Sequence, residues 1–316
     1  MSVSIREAYG LSLAKYGREN PDVVVLNADV SSSTKTGAFA QEFPHRFFNV
    51  GIAEANMCSM ACGFAAAGKI PFANSFAMFL TSNGLLSMRA LASYNDMNVK
   101  FAGGYGGLSD SYDGPTHHAI DDLAVTCALP NFTVAVASDA CLTDFLVRSA
   151  IEMPGPFYLR LSREALPDLY EPQTEFKIGK AQCLRKGKDV TIIACGVMVS
   201  EALHAADALE QDGISAGVLD MFTIKPLDES AILQAVQETG ALVVAQEHNR
   251  TGGLCSAVAE AMLQNDIFAP VEWIALGDVH TESGAYRALL EKYGLDASAI
   301  KAAAVRAVNR KGAKQH

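Results

Sequence analysis

The segment NVGIAEANM, residues 49–57, connects a strand-like run to a helix. The run FFNV leads into Gly51, and Glu54 then opens a stretch of small and apolar residues that ends at Gly68. The helix dipole stabilises a carboxylate in the first turn, so Glu54 taken alone is better explained as a helix-start charge than as a ligand-binding group. Because hardly any polar residue follows Asn56 for two turns, we expect this helix to be buried on all sides.

The same alternation of strand and helix patterns continues along most of the chain. We expect strands at residues 22–28, 99–102, 132–137, 157–161, 189–195, 215–219, 241–245 and 271–276. Helical patterns lie at 53–67, 84–95, 200–212, 228–239 and 253–265. Apolar strands separated by helices predict an α/β protein with mostly parallel sheets covered on both faces. Prolines and mixed charge interrupt the pattern, so we expect two three-layer α/β/α domains, residues 1–168 and 188–316, with a linker at 169–187.

The composition is that of a core-rich globular protein. Of the 316 residues 50% are hydrophobic and 19% are charged, and the formal net charge is −10. Nucleic-acid-binding proteins usually carry a basic field, so we do not expect that class. The seven cysteines are scattered singly, which indicates reduced thiols in a cytoplasmic protein. We recognise neither a signal peptide nor an apolar run of about 18–20 residues, and therefore expect no membrane association.

Two further segments could carry chemistry. Phe76 and Phe79 lie three residues apart at a strand-to-helix junction, where aromatic side chains more often belong to the core than to a pocket. The glycine loop, residues 103–118 with the sequence GGYGGLSDSYDGPTHH, has a backbone that can approach a ligand closely. It lacks the GxxxxGK[ST] pattern of a phosphate-binding P-loop. Histidines in such a loop can hydrogen-bond substrate oxygens or move a proton near neutral pH.

Charged side chains in and after the glycine loop allow more than one interpretation. The spacing of Asp110, Asp113, His117 and His118 fits no common zinc pattern, so we predict no metal site. In LRLSR, residues 159–163, we expect both arginines to point to one face of a strand. That face is either a solvated edge or, at the carboxyl end of a parallel strand, the wall of a ligand crevice, where arginine suits phosphate.

Five segments, in this order, resemble the transketolase family of thiamine-diphosphate enzymes over nearly the whole chain. They are NVGIAEANM (49–57), DGPTHHAIDD (113–122), LRLSR (159–163), IKPLD (224–228) and QEHNRTGG (246–253). The resemblance implies a pyrimidine-binding domain followed by a transketolase C-terminal domain. It also implies transfer of a two-carbon ketol unit from a ketose phosphate to an aldose or aldose phosphate.

The resemblance implies a role for several residues around the cofactor. Glu54 matches the glutamate that hydrogen-bonds the ring nitrogen of the aminopyrimidine and stabilises its imino tautomer. Phe76 and Phe79 match the aromatic wall around that ring, and Asp29 matches an aspartate near the cofactor. Ser82 stands where the family often has a further aromatic residue.

The resemblance also implies a substrate site. His117 matches a histidine that reaches substrate hydroxyls, and Asp113 matches an aspartate that binds a sugar hydroxyl. The acceptor's phosphate falls to Arg6, Ser33 and Arg163, and we add Arg160 because we place it on the same face as Arg163. Tyr105 stands where the full-length enzymes carry a second substrate histidine, so the sugar specificity is left open.

The family's GDG…N pattern, which binds the diphosphate and its metal, is the missing part. No GDG occurs in the chain. The resemblance therefore implies a partner, an N-terminal transketolase subunit that carries the diphosphate-binding domain and holds Mg²⁺. We expect a chain that is inactive alone, shares thiamine diphosphate with this partner and forms an α2β2 heterotetramer.

Three alternatives remain open. The β subunit of a 2-oxoacid dehydrogenase has the same domain order, although a small oxoacid needs no sugar-hydroxyl histidine. A deoxyxylulose-phosphate-synthase-like enzyme shares DGPTH but is normally one long chain. A non-catalytic binding protein could have kept the fold after losing the diphosphate-binding domain.

Overall fold

The computed structural model describes residues 4–313, so the outermost three residues of each expected domain lie outside the described part. Twelve strands lie in this part. In chain order they are β1 (Val23–Asn27), β2 (Phe47–Asn49), β3 (Ile70–Phe76), β4 (Lys100–Gly104), β5 (Thr133–Val136), β6 (Phe157–Arg160), β7 (Gln182–Arg185), β8 (Val190–Ala194), β9 (Ala216–Asp220), β10 (Thr223–Lys225), β11 (Leu242–Asn249) and β12 (Val271–Leu276). They form a seven-stranded sheet, β10-β5-β6-β4-β3-β1-β2, and a five-stranded sheet, β12-β11-β8-β9-β7.

Helices cover both faces of each sheet. The α-helices are Ile5–Glu19, Ser31–Thr34, Gly37–Glu42, Glu54–Ala66, Ala77–Asn83, Leu85–Ser87, Asp122–Cys127, Ala140–Glu152, Met198–Gln211, Glu229–Thr239, Leu254–Gln264, Tyr286–Lys292 and Ala297–Ala313, with a 3₁₀ turn at Pro44–Arg46 and a π-helical turn at Met88–Ser93. In β1, Val23 and Val25 pack into one hydrophobic cluster, and Val24 and Leu26 pack into another on the opposite face. Successive side chains of a strand point to opposite faces, so a strand buried on both sides is apolar throughout. The expected pair of three-layer α/β domains is confirmed.

Polar side chains cap several of these helices. Ser4 accepts from the Glu7 backbone N–H at 3.3 Å, and the Glu7 carboxylate accepts in return from the Ser4 N–H at 3.3 Å. Asp139 caps the helix Ala140–Glu152 by accepting from the Leu142 N–H at 2.7 Å. Such caps satisfy N–H groups that have no partner within the helix.

Two antiparallel edge strands depart from the expected domain plan. The linker expected at 169–187 is wrong over its second half, because β7 pairs antiparallel with β9, with Gln182 opposite Asp220. Strand β10 comes from the second half of the chain but pairs antiparallel with β5 of the larger sheet. The larger sheet therefore combines six strands from the first half of the chain with one from the second half.

The helix Glu54–Ala66 is not buried on all sides, contrary to expectation. Five of its residues are exposed, namely Ala55, Asn56, Ser59, Gly63 and Ala66. The lack of polar residues here therefore reflects a surface of small side chains. In the described part of the chain, no helix combines the length and the apolar character needed to cross a membrane.

The parallel pairing of β1, β3 and β4 brings their carboxyl ends to one edge of the larger sheet. Asp29 follows β1, the helix Ala77–Asn83 follows β3, and the glycine loop follows β4. Ligands of open α/β sheets bind at this edge.

Candidate functional site

Glu54 is a buried carboxylate with one oxygen engaged. The residue is 5% exposed at the first position of its helix. Its Oε1 accepts a hydrogen bond from the Ser75 hydroxyl at 2.8 Å. Among the described residues no donor reaches Oε2, which leaves that oxygen available to a ligand. Since Ser75 is the penultimate residue of β3, the contact holds the carboxylate at the end of that strand, where Phe76 and the helix containing Phe79 follow.

Four rings form an aromatic cluster at the same end of β3. The rings of Phe76 and Phe79 are 6.0 Å apart with an interplanar angle of 25°. Tyr105 lies 4.4 Å from Phe76, and His117 meets Phe79 edge-on at 5.0 Å. Phe76 and Phe79 are half-buried. The cluster therefore presents partly open aromatic surface, which suits the face of a planar ligand ring.

Two arginines flank Tyr105. Arg6 Nη1 donates to the Tyr105 hydroxyl at 2.6 Å and to the Ser33 carbonyl at 3.3 Å. The guanidinium groups of Arg6 and Arg163 lie 5.6 and 5.5 Å from the centre of the Tyr105 ring. Both charges are therefore held close to one aromatic side chain, and together they suit an anionic group.

Acidic groups of the glycine loop lie beside Arg163. Single ligand atoms of Asp110, Asp113 and His117 are within 4.8 Å of one another. Asp110 is 1% exposed, its Oδ1 accepts from Arg163 at 3.3 Å, and its buried Oδ2 has no partner among the described residues. Burial, and then the neighbouring Asp113 charge, raises the pKa of Asp110 to about 6, although His117 and Arg163 oppose the shift.

The three groups could hold a metal ion, because two carboxylates and an imidazole are common ligands. The Arg163 guanidinium already offsets part of the negative charge of Asp110. The expectation of no metal site stays a prediction.

Asp29 follows β1, and Ser82 lies in the helix that contains Phe79. Asp29 is exposed, adopts a positive φ of 64° after β1, and accepts from the Asn49 side-chain amide at 2.7 Å. Ser82 lies on the exposed side of its helix and donates to the Met78 carbonyl at 2.7 Å. Asp29 thus stays accessible at the edge where the strands end, while the Ser82 hydroxyl bonds to its own helix.

Arg160 lies elsewhere, and the expectation that it shares a face with Arg163 is wrong. Residues three positions apart in a strand point to opposite faces, and β6 in any case ends at Arg160. Arg160 is 4% exposed, with Nε 3.0 Å from Asp122 Oδ2. Its Nη2 donates to the carbonyls of Ala119 and Glu247 at 3.0 and 2.9 Å. Arg160 therefore binds protein groups between the two halves of the chain.

Two members of the site were not assigned a role by the sequence. Ser75 had one usable signal, a hydroxyl within a strand whose other side chains are mostly apolar. Asp110 was noted only as part of an unlikely zinc pattern, and its proximity to Arg163 depends on a contact across 53 positions of sequence.

Together these groups can orient a ligand with three different parts. The Glu54 carboxylate can accept from a nitrogen-bearing ring, and the aromatic cluster can contact that ring. Asp113 and His117 can bind hydroxyls, and Arg6 and Arg163 can bind an anion.

Two family models match the chain over most of its length. The one described as "Transketolase, pyrimidine binding domain" matches residues 1–168, and the one described as "Transketolase, C-terminal domain" matches residues 179–300.

Individual relatives match along nearly their whole length. A provisionally named transketolase C-terminal section of Methanocaldococcus jannaschii is 41% identical, over 94% of this chain and 93% of that protein. A 6-deoxy-6-sulfo-D-fructose transketolase subunit of a Clostridium species is 37% identical, over 97% of this chain and 95% of its own length. A solved structure, described as a split gene transketolase, inactive beta4 tetramer, has a TM-score of 0.90 and 44% identity, and covers 98% of this chain and 100% of its own.

Proposed function

The chain belongs to the transketolase family, and from this premise we propose that it is one subunit of a two-chain, thiamine-diphosphate-dependent transketolase. The reaction is transfer of a two-carbon ketol unit from a ketose phosphate to an aldose or aldose phosphate. The observation that carries the proposal is the buried Glu54 carboxylate, which Ser75 holds at the same end of β3 as the aromatic cluster.

The residues fit the aminopyrimidine part of thiamine diphosphate. Glu54 has one oxygen without a donor among the described residues, and Phe76 and Phe79 offer aromatic surface next to it. When bound, this cofactor supplies the carbon nucleophile for cleaving and forming carbon–carbon bonds. The role of Glu54 is to hydrogen-bond the ring nitrogen and to hold a proton there, which selects the reactive tautomer. We assign Asp29 to the edge of the same site.

Sugar recognition falls to the glycine loop and its neighbours. Asp113 and His117 bind hydroxyls and orient the reacting carbonyl carbon. Tyr105 takes the place of the second histidine, and its hydroxyl already accepts a hydrogen bond from Arg6. At that position the protein offers the substrate a phenol hydroxyl instead of an imidazole, and this favours a substrate that can hydrogen-bond to Tyr105.

The anionic end of the substrate falls to Arg6, Arg163 and the segment containing Ser33. Two guanidinium groups around one tyrosine ring provide positive charge and hydrogen-bond donors. The Clostridium relative is named for a sulfonated sugar, and a sulfonate offers the same acceptor oxygens as a phosphate. We favour a sugar phosphate, and a sugar sulfonate is the first alternative anion to assay.

We further propose that a partner chain with a GDG…N motif completes the site and holds the diphosphate and Mg²⁺ in an α2β2 assembly. Two features of the surface support this. Ile52 is 84% exposed just before Glu54, and the helix Glu54–Ala66 leaves a face of small residues open. Small, exposed side chains allow another chain to approach the cofactor site closely. The related beta4 tetramer is described as inactive, which agrees with an inactive lone chain.

The decisive experiment is reconstitution. The tagged chain is isolated from its own cells, and a co-purifying chain with a GDG motif is identified by mass spectrometry. Both chains are then assayed separately and together with thiamine diphosphate, Mg²⁺, a pentulose phosphate donor and an aldose phosphate acceptor. We expect ketol transfer only from the mixture. Full activity of the lone chain would contradict the two-subunit assignment.

The same preparation separates the alternatives. Decarboxylation of a 2-oxoacid without ketol transfer would indicate a 2-oxoacid dehydrogenase β subunit. Condensation of pyruvate with an aldose phosphate would indicate a deoxyxylulose-phosphate-synthase-like enzyme. Binding of a partner with none of these reactions would indicate a non-catalytic role.

A further inference from the structure

The glycine loop is held at both ends of its substrate-binding part by the second half of the chain. Asp113 and His117 lie on a stretch bounded by Leu108 and His118. Each of these boundary residues hydrogen-bonds a side chain from residues 246–286. These contacts join the two domains, because both contacting side chains belong to the second domain and the loop belongs to the first.

Glu247 forms the first contact. It lies in β11, is 3% exposed, and its Oε1 accepts from the Leu108 backbone N–H at 2.8 Å and from the Tyr286 hydroxyl at 3.0 Å. The loop passes so close that a Cβ on Gly107 would lie 2.1 Å from Glu247 Oε2. Gly107 also has a φ of 64°, which favours glycine. The loop backbone is therefore shaped to fit this carboxylate.

The segment 281–284 forms the second contact. Thr281 Oγ1 lies 2.5 Å from His118 Nδ1, and both side chains are buried. The Gly284 N–H donates to the Ser111 carbonyl at 2.9 Å. A Cβ on Gly114 would lie 2.2 Å from the Ser283 hydroxyl oxygen. This segment thus contacts the loop on each side of Asp113 and next to His117.

These contacts order the glycine loop in addition to holding the two domains together. A loop rich in glycine loses more backbone entropy on ordering than other sequences do. Misplacement of a substrate-orienting group by about 1 Å can cost about 100-fold in rate. Fixing Asp113 and His117 therefore needs contacts close to them, and the second half of the chain supplies such contacts at Ser111, Gly114 and His118.

We propose that Glu247 and Thr281 are positioning residues for the sugar-binding side chains Asp113 and His117, and that this is a function of the C-terminal domain. The proposal rests on the proposed function only for the identity of the ligand, because the contacts themselves are independent of it.

A second interdomain cluster provides a matched control. Asp220 Oδ2 accepts from the hydroxyls of Ser138 and Tyr170, at 2.5 and 2.7 Å. This cluster also joins the two halves of the chain through a buried carboxylate, but it does not include the glycine loop. Tyr170→Phe removes one of its hydrogen bonds, just as Thr281→Val removes one from the loop.

The first measurement is amide hydrogen exchange in the purified chain, which requires no activity. Thr281→Val and Glu247→Ala should raise exchange at residues 106–118 by about tenfold, the effect of one lost hydrogen bond. Glu247→Gln keeps an acceptor for the Leu108 N–H and should restore much of the protection. Tyr170→Phe should leave the exchange of this loop unchanged. Unchanged exchange in both loop variants would overturn the proposal.

The second measurement uses the reconstituted complex. Thr281→Val should raise KM for the sugar phosphates by about tenfold and lower kcat less, while the affinity for thiamine diphosphate stays the same. An equal effect of Tyr170→Phe on KM would show general loosening of the domains and overturn the proposal. If the wild-type complex transfers no ketol unit, the proposed function fails, and the exchange experiment alone decides whether the loop is held this way.

Discussion

At the scale of single residues, the site depends on carboxyl groups that are buried. Glu54 and Asp110 are both nearly inaccessible, and Asp110 Oδ2 is a buried oxygen without a donor among the described residues. A buried acceptor without a donor costs free energy, and a ligand can recover it. At Asp110 this oxygen lies within the cluster of Asp113 and His117, where a ligand could supply the donor.

Glu54→Ala tests the residue on which the proposed function depends most. Loss of the carboxylate should lower kcat of the reconstituted complex by about 10²- to 10⁴-fold, the usual contribution of a positioned acid–base group. The thermal unfolding temperature should change little, because the substitution leaves only a small cavity beside an exposed helix face. Ser75→Ala, which removes the donor to Glu54 and keeps the carboxylate, should have a weaker effect. A wild-type kcat in Glu54→Ala would remove Glu54 from the mechanism.

Arg163→Ala tests the anion site. We expect KM for a phosphorylated acceptor to rise about 10- to 100-fold, as for the loss of a charge-assisted hydrogen bond, with little change for an unphosphorylated one. Steady-state kinetics with both acceptors measure the difference. Arg148→Ala changes an exposed arginine on the helix Ala140–Glu152 and should affect neither. Equal losses with the two acceptors would show that Arg163 does not bind the phosphate.

The residue scale also shows where sequence patterns mislead. Asp113, His117 and Arg163 meet around one site, as their motifs suggested, because each motif follows a strand of the same sheet. Arg160 does not join them, since β6 ends at that residue and Asp122 binds its guanidinium. Alternation along a strand places residues two positions apart on one face, whereas Arg160 and Arg163 are three positions apart.

At the scale of elements, strands and helices follow local composition, but loops follow their neighbours. The predicted strands at 22–28 and 189–195 are found as Val23–Asn27 and Val190–Ala194, because β-branched runs suit a buried strand. Strand β7 was missed, since Gln182–Arg185 is a half-exposed edge strand with polar residues. The shape of the glycine loop depends on Glu247 and the segment 281–284, which local sequence does not reveal.

Gly107→Ala tests the close approach of this loop to Glu247. The substitution adds the strain of a positive φ, about 1 kcal/mol, and a clash with a buried carboxylate. Gly213→Ala has a comparable φ of 76° but no atom within 4 Å of the added Cβ, so it should cost the strain alone. Urea denaturation should therefore show a larger loss of unfolding free energy for Gly107→Ala. Equal losses of unfolding free energy in the two variants would indicate that the loop shifts away from Glu247 at little cost.

At the scale of the whole molecule, the two halves of the chain meet through buried polar groups. Arg160, Glu247 and Tyr286 lie between them, and so do Asp220 and Tyr170. Strand β10 adds a backbone connection by joining the larger sheet. Charged groups between domains fix one relative arrangement, because a shifted interface would leave them buried without partners.

Stability of the chain should depend on the acids at this interface. Burial raises the pKa of Glu247 from 4.5 to about 7 and that of Asp220 from 3.8 to about 7. The folded state then holds protons that the unfolded state has lost, so these groups stabilise most at low pH. Their contribution falls as pH rises from about 4 to about 7, by up to about 1.4 kcal/mol per pH unit for each group.

The measurement is urea denaturation between pH 4.5 and 8 in the wild type and in Glu247→Gln and Asp220→Asn. Each variant has one titrating group fewer and should lose less stability than the wild type as pH rises across this window. Parallel curves for all three proteins would show that these acids do not titrate within it.

The sequence by itself determined the α/β class and most strands and helices, because those features depend on local patterns. The grouping of Glu54, Phe79, Asp113, His117 and Arg163 in one site came from the resemblance to the transketolase family and stays a prediction. Only the tertiary structure decided the exposure of the helix Glu54–Ala66, the position of Arg160 and the contact of Leu108 with Glu247. That contact joins residues 139 positions apart. Its geometry depends on how two sheets pack against each other, which no local pattern specifies.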